Sequence, residues 1–333
     1  MNAVNEFKIL LRLYRQSKDK AWRKRNKNPK QYKPLYPIAI ESTYAKDISA
    51  FQGQVVKFVY ASLESRLSGW VRQARGDSFR SDTFSDEFEK WLREVEMEVE
   101  VIYGLTYVSS SSVGQMLAHA AEKVFGFEEM QWRRQTLVVL GTEFNMGAAP
   151  WWDEFKTSWE NTNYRLIKSL SHEYVQKLNT LIITGIQSGW DYDQMVDEIQ
   201  KLSEKITGYR ARLIARDQVG KLNSALAKAQ YAYTGLDTYM WNTARDERVR
   251  GNPMGRYPKA IPSHWAIDGM ICSWSDSTIY SDDIGRTWKK RTAIMPKVAP
   301  GIELLCRCLP SPIFVDHIAA VDAQIDGGED VSQ

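Results

Sequence analysis

Three cysteines and four histidines are all that the 333 residues contain, and two of the cysteines, Cys306 and Cys308, stand one residue apart. So few thiols, so spaced, do not make a disulfide framework, and the fold must rest on a packed core. No apolar run approaches the ~18 residues that a membrane-spanning helix needs, so no membrane partner is expected. The first turns are charged and lack an apolar stretch ending in small residues. No secretory signal is therefore expected, and the chain should stay in the cytoplasm where it is made, or inside something assembled there. Glycine-rich phosphate cradles, a Gly-x-Ser-x-Gly elbow and a His-Glu-x-x-His pair are also missing. With no base placed beside a nucleophile, an enzyme is not the expected reading. No repeat of about 20–50 residues recurs, which excludes solenoids and propellers.

What is present is the balance of a globular protein, with 43% hydrophobic and 26% charged residues in a chain long enough for two domains. Twelve tryptophans favour deep packing and partner surfaces. The net charge of +3 conceals an uneven distribution. Residues 1–37 hold eleven lysines and arginines against Glu6 and Asp19, and the rest of the chain carries more acid than base. Met1 to about Lys27 reads as a helix, with Phe7, Leu10, Leu11 and Tyr14 at helical spacing. Asn28-Pro29 ends it, and Pro34 and Pro37 enforce an extended linker. Lys18, Lys20, Arg23, Lys24, Arg25 and Lys27 are interleaved with Trp22, Tyr32 and Tyr36. They form either a solvated face or a contact for a polyanion, which would be double-stranded DNA bound without sequence specificity or an acidic protein surface.

Residues 38–205 read as a helical domain. The stretch from Ser85 carries Phe88, Trp91, Leu92, Val95 and Val99 at spacings of three and four. Val113 to Phe125 restarts a helix that Gly126 is expected to end. His119 reads as a packing residue and His172 as a surface one. Asp191 with Gln194 has the form of a capping box, with Met195, Ile199 and Leu202 on one buried face.

Residues 206–315 read as a smaller α+β module. Thr207 is expected to cap a helix whose Tyr209, Leu213, Ile214, Leu222, Leu226 and Ala229 face inward and which Gly235 ends. Thr238–Thr243, Met270–Trp274 and Leu304–Leu309 are strand candidates for a short antiparallel sheet on that helix. Asp276 to Ala299 reads as a surface loop, and residues 316–333 as an acidic disordered tail. The expected class is α+β, mostly α: a long helical N-terminal region followed by a small α+β module with a short antiparallel sheet.

Chemistry concentrates between Trp241 and Cys308. If Cys306 and Cys308 lie on a strand, both thiols point to one face and reach one ion. His264 and Cys272 would complete a His-Cys-Cys-Cys set of the kind that holds structural zinc. The other reading is buried, reduced cysteines with His264 making a structural hydrogen bond. Asp246-Glu247-Arg248-Val249-Arg250 places opposite charges two apart. Pairing that fixes this run to the His264–Asp268 turn is favoured over a phosphate or partner contact.

The order of these features is Trp241, the Asp246–Arg250 run, His264 with Asp268-Gly269, Pro300-Gly301 and Cys306-Arg307-Cys308. It resembles the C-terminal signature of the phage head morphogenesis family, the minor head proteins similar to protein F of phage Mu. The resemblance runs from Asn163 to Pro312 and supports His264, Cys306 and Cys308 as a unit; Cys272 lies outside the family pattern. Members commonly place the histidine a few residues after the arginines, whereas here Gly251 to Ser263 intervenes.

The resemblance implies a structural component of a tailed double-stranded DNA phage, located in the virion at the capsid interior or portal vertex. It would assist head assembly and DNA packaging or delivery, with the portal protein and a scaffold or major capsid protein as partners. The alternative is a zinc-dependent nucleic-acid-processing enzyme using His264 and Asp268.

Overall fold

A computed structural model describes residues 3–16, 32–75, 81–103, 111–145, 149–283, 285 and 287–314. The fold is α+β and mostly helical, with one small antiparallel sheet in the C-terminal part. The helices are α1 (Ala3–Gln16), α2 (Ile38–Arg75), α3 (Ser81–Tyr103), α4 (Ser112–Leu140), α5 (Trp152–Gln187), α6 (Tyr192–Glu204) and α7 (Ala211–Thr234). The strands are β1 (Thr238–Asn242), β2 (Ile271–Ser273), β3 (Ile279–Ser281), β4 (Lys289–Lys290) and β5 (Leu309–Pro312). Two compact units result, each assembled from separated segments: one from residues 38–122 and 153–218, the other from 1–37, 123–152 and 219–333.

In the first unit α2 supplies a long stripe, Tyr44, Ile48, Val55, Val59, Leu63 and Leu67, at the spacing that keeps one helical face buried. Polar residues on that stripe are satisfied across the core. Gln52 donates to the Ile167 carbonyl at 2.9 Å and accepts from Ser171 Oγ at 2.9 Å. Tyr44 donates to Asn163 Oδ1 at 2.9 Å. The same Asn163 donates to Gln218 Oε1 at 3.2 Å, and Gln218 donates to Asp217 at 2.9 Å. The expected stripe of α3 is buried at Phe88, Trp91, Val95 and Val99, and Trp91 donates to Ser62 at 3.0 Å.

Several local expectations are corrected. Gly126 does not end a helix, because α4 runs on to Leu140. His119 is exposed rather than packed, whereas His172 is partly exposed as expected and lies 3.0 Å from Glu100. Thr207 caps nothing: α6 passes through a π-helical turn, Lys205–Arg210, into α7, and the Thr207 hydroxyl donates to Ser203 O at 2.9 Å inside the helix. A π turn adds a residue to the helical count, so the inward face slips by one position across it. Ile206 and Ala211 are consequently fully buried, while Tyr209, expected to face inward, is 54% exposed. The capping box at Asp191 does form, with both reciprocal hydrogen bonds present.

In the second unit the sheet order is β4-β3-β2-β1-β5, all antiparallel. Tyr239 and Trp241 share one face of β1 and are fully buried there. They join Trp132, Tyr231, Ile267 and Phe314 in a core that also contains Phe7 of α1. The Phe7 ring lies 5.1–6.1 Å from the rings of Phe144, Trp132 and Phe314. Leu35 donates to Gln131 at 3.0 Å, and Tyr32 accepts from Ser311 at 3.3 Å. The start of the chain and the end of its proline-bearing linker are therefore built into this unit. Lys18, Lys20, Arg23, Lys24, Arg25 and Lys27 lie outside the described residues, as does the acidic stretch 316–333.

The third strand falls at Leu309–Pro312 rather than Leu304–Leu309. Leu305 has φ +59, which breaks an extended run. The two prolines of β5 are tolerated because β5 is an edge strand. The expected loop Asp276–Ala299 contains β3 and β4.

Gly126 is an exposed helix-interior glycine with open space where a Cβ would sit. Gly126→Ala is expected to stabilise the protein by about 1 kcal/mol, read by chemical denaturation. Glu128 is buried in the same helix, and desolvation pushes its pKa up to about 8. As pH rises, the unfolded chain ionises this group first and the folded one resists, so stability falls through this window by about 5 kcal/mol. Glu128→Gln should remove that slope, leaving the variant nearly unchanged at about pH 5 and more stable than the parent at about pH 9.

Candidate functional site

The site grows from the C-terminal end of β1. Trp241 is fully buried, and its ring stands edge-on to the His264 imidazole at 5.7 Å and 87°. Just beyond it, Asp268 accepts from the Thr243 amide at 2.8 Å and from Arg245 Nε at 2.8 Å. The Gly269 amide, at φ +78, donates to the Trp241 carbonyl at 2.8 Å. These bonds fix the turn that follows His264 against the strand.

The charged run is turned rather than extended, and its partners differ from the expected ones. Asp246 accepts from its neighbour Arg248 at 3.2 Å and from the half-buried Arg307. Burial pulls the Asp246 carboxyl upward, but the Arg307 hydrogen bond and charge outweigh it and hold the group below the usual range. Arg250 reaches not the His264–Asp268 turn but Glu303, and it donates to the Leu304 carbonyl at 2.7 Å. The distant partners of the run are thus Arg307 and Glu303.

Glu303 is the residue the sequence reading missed. Its Oε2 lies 2.9 Å from His264 Nε2 and also accepts from Arg250. A signal was available, since Glu303 is the only acid between Asp283 and Asp316. The other imidazole nitrogen, Nδ1, lies 3.3 Å from Cys308 Sγ and 3.4 Å from Cys306 Sγ. His264, Cys306 and Cys308 are all buried, and one ligand atom from each falls within 4.8 Å of the others. Cys272 does not join them: its thiol lies 4.0 Å from the Met270 carbonyl and contacts Tyr239 and Arg291, and burial pushes it up to about 11.

The two clustered thiols are unequal. Hydrogen bonding from Cys308 and the adjacent imidazole draws Cys306 down against the cost of burial, while burial and the Cys306 charge push Cys308 up. For His264 burial acts downward, and contact with Cys306 and Glu303 overcomes it and raises the group.

Pro300-Gly301 seats this cluster on α7. Ser224 donates to the Pro300 carbonyl, and Gly301, at φ +81, passes so close that a Cβ would stand 2.8 Å from Ser224 Cβ and 2.9 Å from Gly220 O. Gly220 is needed in turn, since a Cβ there would lie 3.0 Å from the Cys306 carbonyl. Among the described residues, the non-glycine positions with positive φ are Arg245 and Leu305, both within this signature. A second missed anchor is Arg291, 4% exposed, whose guanidinium donates to the carbonyls of Ile279, Pro296 and Val298 and lies 5.7 Å from the Trp241 ring.

Residues 176–310, which contain every element of this constellation, match the phage Mu protein F like family. Over these residues the chain is similar to that family. The chain is also similar to two curated proteins, each named an uncharacterized protein. One, from Haemophilus influenzae, is 30% identical over 152 residues, 46% of this chain and 28% of the relative. The other, from Methanocaldococcus jannaschii, is 24% identical over 161 residues, 48% of this chain and 20% of the relative. The chain thus spans less than a third of the length of these relatives. No solved structure matches.

The close approach at Gly301 predicts a measurable asymmetry between two signature glycines. Gly269 shares the positive φ but has open space where a Cβ would go. Gly269→Ala is expected to cost about 1 kcal/mol from backbone strain alone, and Gly301→Ala roughly 2–4 kcal/mol from strain plus collision with α7. Equal losses in denaturant titrations would contradict the seating of Pro300-Gly301 on that helix.

Proposed function

We propose that this protein is a head morphogenesis protein of a tailed double-stranded DNA phage, a structural component associated with the portal vertex that assists head assembly and DNA packaging or delivery. The match of residues 176–310 to the phage Mu protein F like family carries this reading. The geometry is consistent with a structural role. The charged signature residues are engaged with one another: Asp246 with Arg248 and Arg307, Arg245 with Asp268, Arg250 with Glu303. His264 and Asp268, the pair a hydrolytic reading would use, are each occupied by separate structural partners. In this reading the second unit is a rigid anchor, and the basic stretch from Lys18 to Lys27 is the contact for packaged DNA, through its phosphates.

Truncation at residue 38 would be a poor test of that role, because it also removes Phe7 from the core. Replacing Lys18, Lys20, Arg23, Lys24, Arg25 and Lys27 by Gln leaves that packing intact. The expected outcome is unchanged recovery of portal protein in co-purification, with weaker DNA binding and a shallower salt dependence. The log–log slope should shrink by about 0.9 for each phosphate that is no longer neutralised. Assembly of normal, filled heads by a phage lacking the gene would overturn the head-morphogenesis reading itself.

A further inference from the structure

We propose that His264, Cys306 and Cys308 hold a zinc ion that locks the segment before β5 to the turn after β1, a site that goes beyond the head-assembly reading and does not depend on it. The decisive feature is the direction of the imidazole. Glu303, fixed by Arg250, sits at Nε2, and a carboxylate there accepts the ring proton. In the tautomer with that proton on Nε2 the lone pair is on Nδ1, which stands 3.3 and 3.4 Å from the two sulfurs. A single proton shared on that side could serve only one sulfur well, whereas a metal serves both. Zinc–nitrogen and zinc–sulfur bonds at a tetrahedral angle separate the two donor atoms by roughly 3.6 Å, so the atoms need to part by only a few tenths of an ångström.

The surroundings match those of a metal thiolate centre. The amides of Gly301 and Cys308 each approach Cys306 Sγ at 3.4 Å, a pair of donors suited to a sulfur that carries charge. A carboxylate–histidine–metal relay, itself held by an arginine, is the arrangement that orients metal-bound imidazoles. Two thiolates and one imidazole select a soft or borderline cation over calcium or magnesium. The ligands come from segments some forty residues apart, and the loop between them contains β2, β3 and β4, so an ion here would close a long stretch of chain. A disulfide between Cys306 and Cys308 would span a single intervening residue, which strains the link.

Three measurements on the full-length protein test the site. Purified without chelators, it should carry one zinc per chain by elemental analysis. Exchange with cobalt should give thiolate-to-cobalt charge-transfer absorption and intense visible bands. A strong chelator should lower the melting temperature by several degrees, with recovery on adding zinc. Cys306→Ser and Cys308→Ser should each lose the ion, while Cys272→Ser, whose thiol faces Tyr239 and Arg291, should keep it. Because the wild-type measurements need no variant, a folding failure in the serine variants does not rescue the proposal. Wild-type protein that takes up no metal from added zinc under reducing conditions, and melts identically with and without chelator, refutes it. So does zinc retained by the Cys306→Ser, Cys308→Ser double variant, or a Cys306–Cys308 disulfide in freshly purified protein.

Discussion

β1 is the strand on which the C-terminal unit depends, because it alone is hydrogen-bonded to two neighbours that bracket the signature. On one edge it pairs with β2, Tyr239 opposite Cys272, and on the other with β5, Trp241 opposite Pro310. His264 stands just before β2 in the chain and Cys308 just before β5, so pairing both to one five-residue strand brings them to the same end of it. The meeting of residues 44 positions apart is thus a consequence of register, and slipping either pair by one position would turn the flanking side chains to the opposite face.

A sheet whose strands run from two to five residues cannot by itself order the loops between them. The unit uses charged side chains for that purpose. Arg291 is buried, donates to the Ile279 carbonyl of β3 and to the loop carbonyls of Pro296 and Val298, and lies near the Trp241 ring. Asp237 gathers Ser273 and Ser275 at the far end of β2, and Asp283 gathers Ser281 and Thr287 beyond β3. Each ionised partner makes its hydrogen bonds stronger than neutral ones, typically about 1.5–3 kcal/mol against roughly 1. Loops held in this way keep backbone polar groups satisfied without strands.

Much of this was legible where one local rule decided the outcome. The capping box at Asp191, the stop at Gly235 and the common face of Tyr239 and Trp241 each follow from a few adjacent residues. Reading failed where two rules competed. The π turn at Lys205–Arg210 shifted the inward face, which a constant period of 3.6 cannot anticipate. The prolines of β5 argued against a strand, and only its position at a sheet edge permits one. At the site, His264, Cys306 and Cys308 were visible as a set because thiols and histidines are scarce. Glu303 was overlooked, since a lone carboxylate shows no spacing pattern until the chain folds it against an imidazole.

The long loop from Gly251 to Ser263 is ordered by its own closure. Trp265 donates to the Arg250 carbonyl at 3.1 Å, so the two ends of the loop are hydrogen-bonded neighbours. Within it, Arg256 donates to the Glu247 carbonyl at 2.6 Å and Gly251 to the Tyr257 carbonyl at 2.9 Å, folding the loop back on its own root. Gly251, at φ +77, is needed there, because a Cβ would stand 1.9 Å from Ser263 Oγ. Lengthening a loop whose ends already meet costs little, about 0.6 kcal/mol for each doubling. The loop therefore returns the chain to its own root at Arg250 just after His264, which stands beside Glu303 and the two thiols.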